Sequence, residues 1–194
     1  MKTKGMIGPH VVETELLDFQ RAVGEGRAYT VCNQAGVTSQ AGLSATTPVL
    51  TLYNPLGSGV KGRIWYVGCT FTVVFAAVAA IFVAVGTNVQ AAATTGTLTT
   101  AHRRTRLGSL LAHGNQIIPL LAATLPEAPV AVGLLGAGLT GAVNLLPHMV
   151  PLGRWFNGAL ELMPGSNLSI QTSAASGASG MWCEYIWEEV DLAP

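Results

Sequence analysis

Apolar residues follow two different periods along this chain, and the change falls near Arg27. Before it, Val11, Val12, Leu16, Phe19 and Val23 recur at near-helical spacing among acidic residues, ending at the breaker Gly24-Glu-Gly26. That spacing predicts a short amphipathic helix. A helix this short is marginal alone in water and needs a surface to lie on. Residues 1–27 are therefore expected to form an extended N-terminal arm, with residues 28–194 as the folded domain.

Beyond Arg27 the pattern becomes strand-like. Ala28-Tyr-Thr-Val-Cys32 is a short β run, followed by a Gly/Ser/Thr/Gln loop to Thr47. Pro48-Val-Leu-Thr-Leu-Tyr53 predicts a second strand, stopped by Asn54-Pro55 and the glycines of Leu56-Gly-Ser-Gly59. Pro presets φ and Gly accepts positive φ, so this is turn chemistry. Lys61 to Phe75 reads as a long strand with Ala80 to Val85 as its neighbour. For Val78-Ala-Ala-Ile-Phe82 the period allows either a tight strand connection or a short helical bridge. Ala91 to Thr100 suits a loop or an edge strand, and Pro119, Pro126 and Pro129 exclude a helix around Gln116 to Leu121.

The last forty or so residues carry the clearest alternation. Gly158 to Met163 leads into the turn Pro164-Gly-Ser-Asn167, and Leu168-Ser-Ile-Gln-Thr172 alternates apolar and polar residues. The final strand, Met181 to Val190, puts Trp182, Glu184, Ile186 and Glu188 on one face and Met181, Cys183, Tyr185 and Trp187 on the other. A strand with aromatics on both faces is covered on both sides. Trp182, Tyr185 and Trp187 are accordingly candidate contacts with a neighbouring subunit. Roughly eight strands with frequent turns predict an all-β fold, a jelly-roll-like β-sandwich.

Composition sharpens this. Hydrophobic residues make up 49% of the 194 residues and charged residues 10%, far below the usual charged share of about 25%. A monomer with so few charges struggles to cover its surface, so the chain either assembles or enters a membrane. The uncharged stretch Val67 to Gly86 is long enough for a transmembrane helix. Its Val, Thr, Ile and Phe content favours strands instead, and basic residues flank it on both sides without topological asymmetry. A small membrane protein with a span near 67–86 stands as the rival reading. The net charge of zero gives no field for nucleic acid. Met1 to His10 lacks an apolar signal core, so synthesis in a reducing cytoplasm is expected.

Candidate chemistry is sparse. Cys32, Cys69 and Cys183 fit no CxxC pattern and read as buried free thiols. His10, His102, His113 and His148 form no metal-ligand set. Gly136-Ala-Gly-Leu-Thr-Gly141 matches a dinucleotide fingerprint, but Asn144, Pro147 and Pro151 interrupt the helix that motif requires, so a loop is expected. Gly57-Ser-Gly-Val-Lys61 lacks phosphate-loop spacing and reads as a hairpin turn. There is no G-x-S-x-G elbow and no acid pair placed for general acid/base work. A non-enzymatic role without cofactor or metal is expected. Arg103-Arg-Thr-Arg106 is the one concentrated charge, read either as a solvated loop or as a contact with an acidic partner.

Three stretches together resemble small structural proteins of tailed bacteriophages. They are Leu52-Tyr-Asn-Pro-Leu-Gly-Ser-Gly-Val-Lys61, Met163-Pro-Gly-Ser-Asn-Leu-Ser-Ile-Gln171 and Gly180-Met-Trp-Cys-Glu-Tyr-Ile-Trp-Glu-Glu-Val190. In that family an N-P-x-G-S-G-K turn and a W-E-E-[VI] ending bracket a jelly roll; here Val60 intervenes before Lys61. The resemblance implies a capsid decoration or cement protein, a homotrimer on the virion surface that bridges major capsid subunits, made in the host bacterial cytoplasm. A tail or head-fibre base component is the alternative within the same class. On this reading Arg103, Arg104, Arg106, Leu16 and Phe19 are candidate partner-binding residues, and no nucleic acid or membrane is engaged.

Overall fold

The computed structural model of the chain describes residues 10–86, 95–98, 103–104, 116–138 and 152–192. Among these residues one helix, α1 (His10–Glu25), precedes eleven strands: β1 (Ala28–Cys32), β2 (Leu50–Tyr53), β3 (Val60–Phe71), β4 (Ala79–Gly86), β5 (Thr95–Leu98), β6 (Arg103–Arg104), β7 (Ile118–Thr124), β8 (Val130–Gly138), β9 (Leu152–Leu162), β10 (Asn167–Thr172) and β11 (Met181–Asp191). The helix ends where the sequence places its breaker. Gly26 adopts φ 75°, its N–H bonds Val23 O at 3.0 Å, and the Arg27 N–H bonds Ala22 O at 2.9 Å. This pair of bonds is a Schellman cap, which glycine at that position permits without strain.

The strands form two antiparallel sheets. The first has the order β6-β1-β11-β3-β9 and the second β5-β7-β2-β10-β4-β8. From β1 to β4 and again from β8 to β11, successive strands alternate between the sheets. Chain neighbours therefore face each other across the core instead of pairing edge to edge. Lys61–Phe75 and Ala80–Val85 were expected to pair; in the structure β3 and β4 lie in different sheets, separated by residues 72–78. The stretch 67–86 is thus the end of β3, a connection and β4, and no helix among the described residues is long and apolar enough to cross a membrane. The glycine turn at 57–59 likewise joins β2 to β3 across the sandwich and is not a hairpin.

That turn is held by Asn54. Its fully buried side chain donates through Nδ2 to Val60 O and to Leu162 O, each at 2.9 Å, and its backbone bonds Ser166 and Gly165. One side chain so ties the end of β2 to the start of β3 and the end of β9. Gly57, Gly59 and Gly165, all at positive φ, let these turns close around it.

Between the sheets lies one main core, in which Tyr29, Ile64, Val67, Ile81, Val83, Leu168, Ile170, Tyr185 and Trp187 are at most 4% exposed. Alternation is why these residues converge: positions 168 and 170 on β10, like 183, 185 and 187 on β11, share the inner face. Strand β10 is buried along its whole length. Its outward Gln171 exchanges bonds with the backbone of Ser44, Nε2 to O at 3.2 Å and N to Oε1 at 3.4 Å, so the 39–46 segment covers that face.

Candidate interaction surfaces

Among the described residues, three features of the sandwich surface bear on interaction. The first is the outer face of the first sheet, crossed by α1. Registry with β11 passes from Ile64↔Trp187 to Tyr66↔Ile186, so Trp65 is an extra residue in β3. Such a bulge re-aims side chains. Here Trp65 stands outside the core cluster and meets Phe19 of α1, ring centroids 5.0 Å apart. Phe19 also lies 6.5 Å from Trp155 of β9, and Trp155 lies 5.0 Å from Tyr66. Tyr66 fits because its neighbours are glycines. A Cβ on Gly153 would sit 1.9 Å from its hydroxyl oxygen, and one on Gly68 2.6 Å from its ring. Burial first, and then the negative charge of Glu184, push the Tyr66 phenol above its ordinary value.

The helix is latched by an ion pair whose Glu188 end is buried and whose Arg27 end is 36% exposed. Arg27 pairs with Glu188 of β11 and, at 2.7 Å, with Glu25. The other oxygen of Glu188 accepts from Trp65 Nε1 at 3.3 Å. The adjacent Glu189 does separate work: its carboxylate accepts the backbone N–H groups of Gln116 and Ile117 at 3.0 and 2.9 Å, and Trp187 Nε1 at 3.4 Å. Both glutamates are buried, and their bonds are to permanent partners. They organise the fold at the end of β11.

The second feature is the side of the sandwich where β8 and β9, the edge strands of the two sheets, come together. Gly133 and Gly136 of β8 pair with the inward Val83 and Ile81, and the space their missing side chains leave is taken from β9. Arg154 and Phe156 lie over Gly133 and Leu152 over Gly136, with the Arg154 guanidinium 5.1 Å from the Phe156 ring. Strand β8 carries no charge, and Val130, Val132 and Leu134 are 56, 46 and 62% exposed. Trp155, 56% exposed, lies on the neighbouring edge strand. Edges this apolar are usually blunted by charge or covered by another chain.

The third is a depression lined by Cys32, Cys69, Thr70, Trp182, Cys183 and Glu184. Cys32 pairs with Glu184 across β1 and β11, on the outer face.

The expected partner-binding residues are dispersed. Arg103 and Arg104 form β6, paired with Thr30 and Tyr29 of β1 at one edge of the first sheet, with their side chains outside the described part. Arg106 lies outside the described residues. Leu16 belongs to α1, its side chain again outside the described part, while Phe19 contacts β3 and β9 at the far side from β6. Of the three aromatics expected to meet a neighbouring subunit, Trp182 is half-buried on the outer face. Tyr185 and Trp187 have no exposed surface; they belong to the core, because the inner face of β11 is sealed by the chain's own second sheet. Exposed Val130, Val132 and Leu134 of β8, and Trp155, were not among the expected site residues. The uncharged apolar run from Val130 to Leu135 is the signal that points to the β8 residues.

Among the described residues no group of three His, Cys, Asp or Glu side chains could hold a metal ion. Gly136 and Gly138 lie in β8, a strand where a loop was expected, and Leu139 to Gly141 lie outside the described residues. His102, His113 and His148 also lie outside them. The chain matches no protein-family model, no curated protein and no solved structure.

Proposed function

We propose that this chain is a structural subunit of a tailed-phage virion, a capsid decoration protein that binds copies of itself and the major capsid protein on the head surface. The observation that carries this reading is strand order. Setting aside β5 to β7, the sheets run β1-β11-β3-β9 and β2-β10-β4-β8. Such an order supports a reading as two interlocked Greek keys, the eight-stranded jelly roll frequent in viral capsid and lectin domains. The low charge count and the apolar β8 edge add support, since both suit a surface that is covered in an assembly. Bridging would stabilise the head by mass action, binding the assembled lattice in preference to the separated one.

The mass of the purified chain in sedimentation equilibrium tests the assembly step, and co-sedimentation with undecorated phage heads tests the partner. The reading expects a species near three times 20.1 kDa that travels with the heads. A 20.1 kDa monomer that stays in the supernatant would end it.

A further inference from the structure

Cys69 and Cys183 face each other directly across β3 and β11. The hydrogen bonds around Cys183 fix the kind of pair they make. Its N–H donates to Asn33 Oδ1 at 2.6 Å and its carbonyl accepts from Asn33 N at 3.2 Å. Both backbone groups of Cys183 thus point toward β1 and away from β3. On its other side, Cys183 and Cys69 therefore occupy a non-hydrogen-bonded position of the antiparallel ladder. At such positions the Cα atoms approach to about 4.5 Å and the side chains are closest. That separation lies inside the span of about 4.4–6.8 Å that a disulfide bridges. Both side chains lie in the core cluster, Cys69 at 3% and Cys183 at 1% exposed, and both thiols are free.

We infer that Cys69 and Cys183 are a latent cross-strand disulfide, closed by exchange with a small-molecule disulfide when the chain folds or opens in oxidising surroundings. In the first step the Cys69 thiolate attacks one sulfur of glutathione disulfide, forming a mixed disulfide and releasing one glutathione thiolate. The Cys183 thiolate then attacks the Cys69 sulfur, closing the protein disulfide and releasing the second glutathione. Two cysteine thiols are oxidised, one glutathione disulfide is reduced to two thiols, and the two cysteine protons pass to the departing glutathiones.

The bond would staple the two most extensively paired strands of the first sheet across a long loop of sequence, where cross-linking constrains the unfolded chain most. Cys32 is the competing thiol, but it pairs with Glu184 on the outer face and does not oppose either partner. The proposal concerns the chain itself and does not depend on the role in a virion.

The test is refolding of the full chain from denaturant in a glutathione redox buffer, followed by non-reducing digestion and mass spectrometry. The expected product is a peptide pair joined through Cys69 and Cys183, lighter by two hydrogens than the reduced pair. Its thermal midpoint should rise by roughly 10 °C over the reduced protein. Cys32→Ser should keep both results, and Cys69→Ser or Cys183→Ser should abolish both. Recovery of Cys69 and Cys183 as free thiols or glutathione adducts, or a bridge through Cys32, overturns the inference. So does a Cys69–Cys183 bridge that lowers the midpoint.

Discussion

Tyr185 on β11 donates its phenolic hydrogen to the carbonyl of Leu50 on β2, 2.7 Å away across the interior of the sandwich. The ring is fully buried, and burial pushes the phenol well above its ordinary value. One hydroxyl thereby ties β11 to β2 across the two sheets. Tyr185→Phe keeps the ring and removes the bond, and is expected to lower unfolding free energy by about 1–2 kcal/mol. Urea denaturation measures it; an unchanged midpoint would show that the bond contributes nothing.

Arg27 and Glu188 couple the helix to the sheet. Glu188 is 3% exposed, and without Arg27 its carboxylate keeps the Trp65 indole as its remaining side-chain donor. Because the Arg27 side chain is 36% exposed and solvent screens the pair, removing one member is expected to cost about 1–2 kcal/mol. The double variant Arg27→Ala, Glu188→Ala should cost clearly less than the two single losses added together. Because Trp65 touches both Glu188 and Phe19, its fluorescence should shift to the red in Arg27→Ala as the helix lifts. Strict additivity, within about 0.5 kcal/mol, would show that the pair is not coupled.

Glu189 holds the entry to β7 through the N–H groups of Gln116 and Ile117. Glutamine at this position has the same shape but turns an amide N–H₂ toward one of those donors. The expected loss is about 2 kcal/mol. Amide hydrogen exchange gives the sharper readout: protection at residues 116 and 117 should fall more than protection along β10. A uniform change across both regions would contradict a local role for the carboxylate.

Much of this architecture was legible in the residues. The Gly24-Glu-Gly26 stop, the Asn54-Pro55 turn and the alternation of β11 each have a local physical cause, and each occurs where local chemistry puts it. What was not legible is non-local. Alternation shows that β11 has two faces but does not show that one of them is sealed by the chain's own second sheet, so Tyr185 and Trp187 read as interface residues. The bulge at Trp65 arises from pairing with β11 and β9, more than 85 residues away in sequence, and no signal near Trp65 announces it. Gly136 read as a loop residue, because the side chain that uses its space, Leu152, comes from β9.

Two glycines should respond to alanine in opposite directions. A Cβ at Gly36 would lie 1.8 Å from the carbonyl oxygen of Ser179, a backbone atom that cannot swing aside. Gly36→Ala is expected to cost about 2–3 kcal/mol as the 179–182 segment is displaced. A Cβ at Gly24 meets nothing within 4 Å, and Gly24 lies in the last turn of α1. Gly24→Ala should stabilise by about 0.5–1 kcal/mol by lowering the entropy of the unfolded chain. Thermal denaturation of both variants decides; equal shifts would refute the steric argument.

The thiols give a pH dependence with a definite sign. Burial, and after it the negative charge of Glu184, push Cys69 from 9.0 up to about 12, and burial drives Cys183 well upward too. In the unfolded chain these thiols ionise near their ordinary value, while in the folded chain they keep their protons. The folded state then binds more protons than the unfolded one at alkaline pH, so stability must fall as pH rises. For Cys69 the loss begins near pH 9 and continues toward about 12. At pH 9 Cys69 therefore keeps its proton in the folded state far more than a free thiol does. Iodoacetamide at that pH should therefore label half-buried Cys32 first and leave Cys69 and Cys183 unmodified until denaturant is added. In Cys69→Ser, Cys183→Ser the alkaline loss of stability should become shallower. Labelling of Cys69 in the native protein at the rate of a free thiol, or an unaltered alkaline slope in the double variant, would show that burial does not control these groups.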